Sequence, residues 1–279
     1  MFSTRLGRFV LVSAALLAGI SSASAAVNFT GSPYFENFDS LATAPTATNV
    51  STAWANDSTL TGWSLFAQPA PGNGIATYAA GNGSSNAGSF YSYGTAASTD
   101  RALGGLGSAG AYFGAPAAGA VAGWMAVALQ NNSGSAFSSF TVGFNGEQWR
   151  NGGNATLAAQ TMVMEYGFGA SFAAVSSWTA PGASFNWSSV VNSATAGAVD
   201  GNVAGLVGGV GGTVNTTWNA GDTLWIRFVE NNDSGNDHGL AIDNFNFTAA
   251  STAPIPEPET YALMLLGFGL IGVATRRRQ

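Results

Sequence analysis

Apolar and polar residues alternate with a period of two along much of the chain. Phe140, Val142 and Phe144 fall on one face of a stretch whose other face carries Thr141, Gly143 and Asn145, and Met162, Met164 and Tyr166 repeat the pattern. Val27–Thr30, Tyr34–Phe38, Gly62–Phe66, Ser89–Gly94, Asp222–Glu230 and Gly239–Thr248 also read as strands, and Trp124–Leu129 as a fully buried one. Gly/Asn/Pro turn chemistry separates them at 71–74, 81–83, 151–153 and 231–235. No stretch of this body sustains a helical period, so the prediction is all-β: a single jelly-roll-like β-sandwich over 27–250. The glycine-rich stretch Val199–Gly212 has no clear alternation and reads as a long loop.

Both ends break the pattern. Arg5 and Arg8 precede an apolar run, Phe9–Ile20, and a small-residue stretch with Ala23-Ser24-Ala25, so residues 1–26 read as a signal peptide. The last stretch, 251–279, reads as a tail. Pro256, Glu257 and Pro258 form a rigid extended motif, because proline fixes φ and lacks an N–H. An uncharged segment at 261–275 follows, short for a transmembrane helix but able to span with some adjustment of the bilayer. Arg276, Arg277 and Arg278 then hold the end on the cytoplasmic side. A plain membrane anchor is the other reading of this tail.

Charge narrows the partners. There is no lysine and no cysteine. The body retains only Arg101, Arg150 and Arg227 against twelve acids, a net charge of −9. Such a surface excludes nucleic acid as a partner and suits cations or neutral polysaccharide. Without disulfides an exported body depends on its core, and on a bound ion if it has one.

Two acidic islands, Phe35–Asp39 and Asn231–Phe245, lie at opposite ends of the body, where first and last strands of a sandwich come close. Their carboxylates and carboxamides are the hard oxygen ligands calcium takes. The alternative is that the Asn and Asp side chains cap turns while Asp243 makes a buried hydrogen bond or pairs with an arginine. The only histidine, His238, reads as structural: no G-x-S-x-G, H-E-x-x-H or thiol accompanies it, so a secreted hydrolase finds no constellation. Glu147 and Glu165 are a conceivable glycosidase pair, but pairing of Glu147 with Arg150, and of Glu230 or another acid with Arg227, is the plainer reading. Trp63, Trp124 and Trp225 sit in apolar contexts and belong to the core. Trp54, Trp178, Trp187 and Trp218 sit among polar residues and are candidate sugar-stacking platforms.

The order Pro-Glu-Pro, apolar segment, arginine cluster resembles the PEP-CTERM sorting signal of bacterial exported proteins. That resemblance implies an exosortase-type membrane protease as partner, transient anchoring in the cytoplasmic membrane, and release to the cell surface or the exopolysaccharide matrix. The body is similar to jelly-roll domains of extracellular and carbohydrate-binding proteins. That likeness implies a structural calcium held by Glu36 and Asp243, with Asn37, Asp39 and Asn244 as further ligands. The functions expected are a non-enzymatic exported surface protein or a calcium-supported carbohydrate-binding module.

Overall fold

The computed structural model describes residues 26–44 and 49–251. The signal peptide, the Pro-Glu-Pro motif, the apolar segment and the terminal arginines lie outside the described residues. In chain order the first eight strands are β1 (Val27–Phe29), β2 (Tyr34–Glu36), β3 (Val50–Ala53), β4 (Trp63–Ala67), β5 (Asn73–Gly74), β6 (Thr77–Gly81), β7 (Ser89–Tyr93) and β8 (Ala102–Leu106). Then come β9 (Ala120–Asn131), β10 (Phe137–Asn151), β11 (Thr161–Phe168), β12 (Trp187–Ser188), β13 (Gly197–Ala198), β14 (Leu206–Trp218), β15 (Thr223–Asn232) and β16 (Gly239–Ala250). Helix among the described residues is confined to three single 3-10 turns.

The strands form two sheets. One runs β12-β11-β15-β9-β4-β5, with β1 parallel beside the end of β9. The other runs β13-β10-β16-β8-β7-β6-β3, with β14 also on β10 and β2 also on β16. The alternating residues explain why the sheets stack. Phe140, Val142, Phe144, Ile242, Phe245 and Phe247 from the second sheet meet Met125, Val127, Met164, Leu224, Ile226 and Phe228 from the first, all buried. Phe144 meets Phe228 edge-on at 5.1 Å, and Trp63 meets Phe245 at 5.3 Å. Each such side chain withdrawn from water contributes about 1.5–3 kcal/mol, set against chain entropy.

Residues 199–212 are not one long loop. After a turn at 200–205, Leu206–Trp218 is a thirteen-residue strand paired with β10 from Phe137 to Glu147. Its alternation is hidden because buried apolar residues recur only at Val210, Val214 and Trp218, with glycine and threonine between. Gly209 and Gly211 have φ of +74° and +129°, and a Cβ at Gly211 would lie 2.1 Å from the Val142 carbonyl oxygen. Only glycine fits that approach.

Part of the outer face of the second sheet, around β6, β7, β8 and the end of β10, is covered. Tyr91, Tyr93 and Trp149 form a buried ladder of near-parallel rings, 4.7 and 6.2 Å apart. The strands near them carry small residues, among them Ala79, Ala102, Gly104 and Ala241, which leave room for flat rings. The Arg150 guanidinium holds the cover in place by donating to the carbonyls of Gly83 and Ser84 at 3.1 and 2.9 Å.

Candidate functional site

Asp243 owes its position to a bulge. Asn244 adopts a left-handed φ of +51°, which Asn tolerates better than most residues. The register of β16 against β10 shifts between Gly143 and Asn145 as a result. Ile242 and Phe245 therefore both face the core, and Asp243 between them turns to the other side of the sheet. There its Oδ2 accepts from the Asn244 side chain at 2.7 Å, while Oδ1 is buried with no hydrogen-bond partner. The residue is only 3% exposed.

The neighbours of Asp243 are carboxylates. Burial pushes it up to about 7, with repulsion from Asp100 and Asp39 adding to the effect. Glu147, on β10, is pushed up to about 8 by burial and then by Asp243, against the opposing hydrogen bond that Trp149 Nε1 donates at 2.9 Å. Asp39 Oδ1 accepts the Arg101 backbone N–H at 3.0 Å, and Asn37 donates to Asp39 Oδ2 at 2.7 Å. Asp100 accepts from Asn202 at 2.8 Å. The structure thus brings Asp39 and Asp243, with Asn37 and Asn244, into one acidic neighbourhood and adds Asp100 and Glu147 to it. Glu36 is placed differently: it shares a sheet face with its cross-strand partner Phe245, and its Oε1 accepts the Phe38 N–H at 2.9 Å. Asp39 is the acid that couples to both Glu36 and Asp243. Among the described residues no three carboxylate or imidazole groups converge closely enough to hold a metal by themselves. What the site offers is an unsatisfied carboxylate oxygen that calls for a proton or a cation, with the carboxamides of Asn244 and Asn37 beside the acids.

Three of the four tryptophans expected as platforms are core residues. Trp54 is buried against Tyr78 and donates to Asn56 at 2.7 Å. The Trp187 ring occupies the space left by Gly146, where a Cβ would sit 2.2 Å from it. Trp218 is fully buried, packs on Phe29 at 5.4 Å and donates to the Asp222 carbonyl at 3.0 Å. Their polar sequence neighbours belong to turns and outward strand positions, which say nothing of the ring's own side. Trp178 is half-buried, but its face is taken: the Arg227 guanidinium lies 3.9 Å from its centroid. Trp63, Trp124 and Trp225 are buried, as their apolar contexts predict.

Of the two expected pairings the structure corrects one, Glu147 with Arg150, and bears out the other, an acid with Arg227. Arg150 does not meet Glu147; it serves the carbonyls of Gly83 and Ser84, while Glu147 takes the Trp149 indole. Arg227 pairs with Glu165 at 2.6 Å, and Glu230 is buried separately between the sheets. Glu147 and Glu165 lie in different sheets and form no pair. His238 is buried and its ring nitrogen Nδ1 lies 2.8 Å from Gln148 Nε2, a structural position.

The described chain is therefore an all-β, two-sheet sandwich with an acidic, unsatisfied carboxylate on one outer face. Its tail is defined by comparison: a family model for the PEP-CTERM protein-sorting motif matches residues 254–278. No curated protein matches the chain. Among solved structures, the CBM22-1 xylan-binding domain of Paenibacillus barcinonensis Xyn10C aligns with 76% of this chain and all of that one. The identity is 11% and the TM-score 0.34.

Proposed function

We propose that this is a non-enzymatic exported protein. An exosortase-type transpeptidase processes its tail, and the body reaches the cell surface or the exopolysaccharide matrix. One observation carries the reading: the sorting-motif match over 254–278, which contains Pro256, Glu257, Pro258 and the arginines at 276–278. In the same reading residues 1–26 are a signal peptide, 261–275 a membrane segment, and the sandwich a jelly roll. Only five residues separate the end of β16 from Pro256. Fully extended they span at most about 18 Å, so the processing enzyme works close against the folded body. The test is mass spectrometry of the C-terminus of protein recovered from cells that possess or lack an exosortase. The reading expects loss of the apolar segment and arginines only in the first, and retention when Pro256, Glu257 and Pro258 are all changed to alanine. An intact C-terminus in both strains favours the plain anchor and overturns it.

The unpartnered Asp243 Oδ1 favours a second, compatible reading: the body takes a structural calcium ion. Asp243 and Asp39 would supply carboxylate oxygens, with Glu36, Asn37 and Asn244 as further candidates. Bound calcium supplies positive charge where the acids otherwise repel. Its linkage to stability makes the melting temperature rise with calcium concentration. Melting of the purified protein with calcium and with chelator tests this, Asp243→Asn being expected to remove the shift. An unchanged melting temperature sinks it.

A further inference from the structure

A groove of about 430 Å³ crosses the outer face of the second sheet where β2, β16, β10 and β14 lie side by side. One cross-strand row through it reads Phe35, Asn246, Gly143, Gly211. Phe35 ends the row and is 57% exposed. Register forces it outward, since its neighbours Tyr34 and Glu36 pair with the core residues Phe247 and Phe245. Gly143 leaves the middle of the row bare. A Cβ there would fall 2.8 Å from the Asn246 carboxamide, so the glycine gives that side chain space to lie across β10. At Gly209, on the far wall, an added Cβ would meet nothing within 4 Å. Asn145 and Asn244 complete the polar lining, and among the described residues none that lines the groove is charged.

This combination has a specific chemistry. An exposed aromatic face packs on the C–H side of a pyranose ring, and a carboxamide both donates to and accepts from neighbouring hydroxyls. The absence of charge from the lining, on a strongly acidic body, disfavours acidic polymers. We propose that this groove binds a neutral polysaccharide chain, with Phe35 stacking on one sugar and Asn145, Asn244 and Asn246 hydrogen-bonding its hydroxyls. The inference rests on the reading that the body is delivered outside the cell and names what it meets there.

The test is affinity electrophoresis of the purified protein, tail included and in detergent, through gels containing a soluble xylan, a mixed-linkage β-glucan or dextran. Polygalacturonate serves as the acidic counterpart. At least one neutral polymer is expected to retard the protein, and Phe35→Ala to weaken that binding about tenfold or more, as truncation of an aromatic anchor does. Phe35→Trp is expected to keep binding, and Asn246→Ala to weaken it, with the melting temperature of Phe35→Ala unchanged. Lack of retardation by every neutral polymer, retention by polygalacturonate alone, or a Phe35→Ala variant that binds like its parent overturns the proposal. A dimer in sedimentation that Phe35→Ala dissolves also overturns it, in favour of a second copy of the chain. Binding is read on purified protein and tail processing on cells, so failure of one leaves the other standing.

Discussion

Replacing Trp178 with alanine isolates an arrangement on which a long excursion of the chain depends. Between β11 and β12, Phe172, Val175 and Trp178 fold back over the outer face of the first sheet, against Trp124, Trp225 and Val229. Phe172 stacks on Phe66 at 4.1 Å, and Thr179 bridges Tyr166 through two 2.9 Å backbone hydrogen bonds. Arg227 rises from β15 into this cover. Its guanidinium lies 3.9 Å from the Trp178 centroid and 5.2 Å from that of Trp124, while Nε and Nη2 donate to Glu165 Oε2 at 2.7 and 2.6 Å. The cation–π contact, partly shielded from water, is worth about 1–2 kcal/mol. The Trp178–Phe172 contact at 5.1 Å adds about 0.5–1.5 kcal/mol. Trp178→Ala should therefore cost about 2–3 kcal/mol in urea denaturation. A double-mutant cycle with Arg227→Gln should return a coupling of about 1–2 kcal/mol. Glu165→Gln should cost less, about 1 kcal/mol, because the pair is partly solvated and the guanidinium keeps its aromatic bed. A Glu165→Gln cost equal to or above that of Trp178→Ala, or a coupling under about 0.5 kcal/mol, would refute the reasoning.

Two further outcomes are expected. Glu147, ordinarily near 4.5, titrates near 8 in the fold. Between those values the unfolded chain has already lost the proton that the folded one keeps, so stability falls as pH rises through this window. Glu147→Gln keeps an acceptor for Trp149 and should gain about 2–4 kcal/mol on the parent between pH 4 and pH 8 in calcium-free buffer; identical pH slopes in parent and variant would show that the carboxyl is ionised throughout. Trp218→Ala should lose about 3–5 kcal/mol by urea denaturation, as for a large aromatic removed from a closed core; a variant as stable as its parent would put the ring at the surface.

Strict alternation made the inner faces legible. Phe140, Val142 and Phe144, and likewise Met162 and Met164, point where period two puts them; Gly83, Gly153 and Gly235 fall between strands as expected, but Asn73–Gly74 form β5 and Asn231 and Asn232 end β15. What escaped has a common cause, which is that local polarity does not report which side of a strand a residue faces. Trp54, Trp187 and Trp218 stand among Ser, Asn and Thr because those residues face outward while the rings face in. β6 and β8 were missed because they are short and built of small residues that make room for Tyr91, Tyr93 and Trp149 on β7 and β10, and so show no apolar alternation of their own. β14 was hidden because its glycines serve backbone approach and carry no side chain to alternate. The acidic site was half visible. Asp39 and Asp243 stood out, but Asp100 and Glu147 join them only through sheet order, and the bulge at Asn244 turns Asp243 away from the face that Glu36 shares with Phe245.

The place of β16 within its sheet bears on how the protein carries load. Its twelve residues run between β10 on one side and β8 and β2 on the other, with the β10 register unbroken from Ser139–Ala250 to Arg150–Gly239 except at two bulges. The chain leaves this strand at Ala250, a few residues before the sorting motif. A pull on the C-terminus along the strand axis therefore loads those hydrogen bonds in shear, many at once, instead of peeling them one by one from an edge. A body held by its C-terminal end against flow would resist tearing by sliding friction along a central strand, and the first part to yield would lie elsewhere in the molecule.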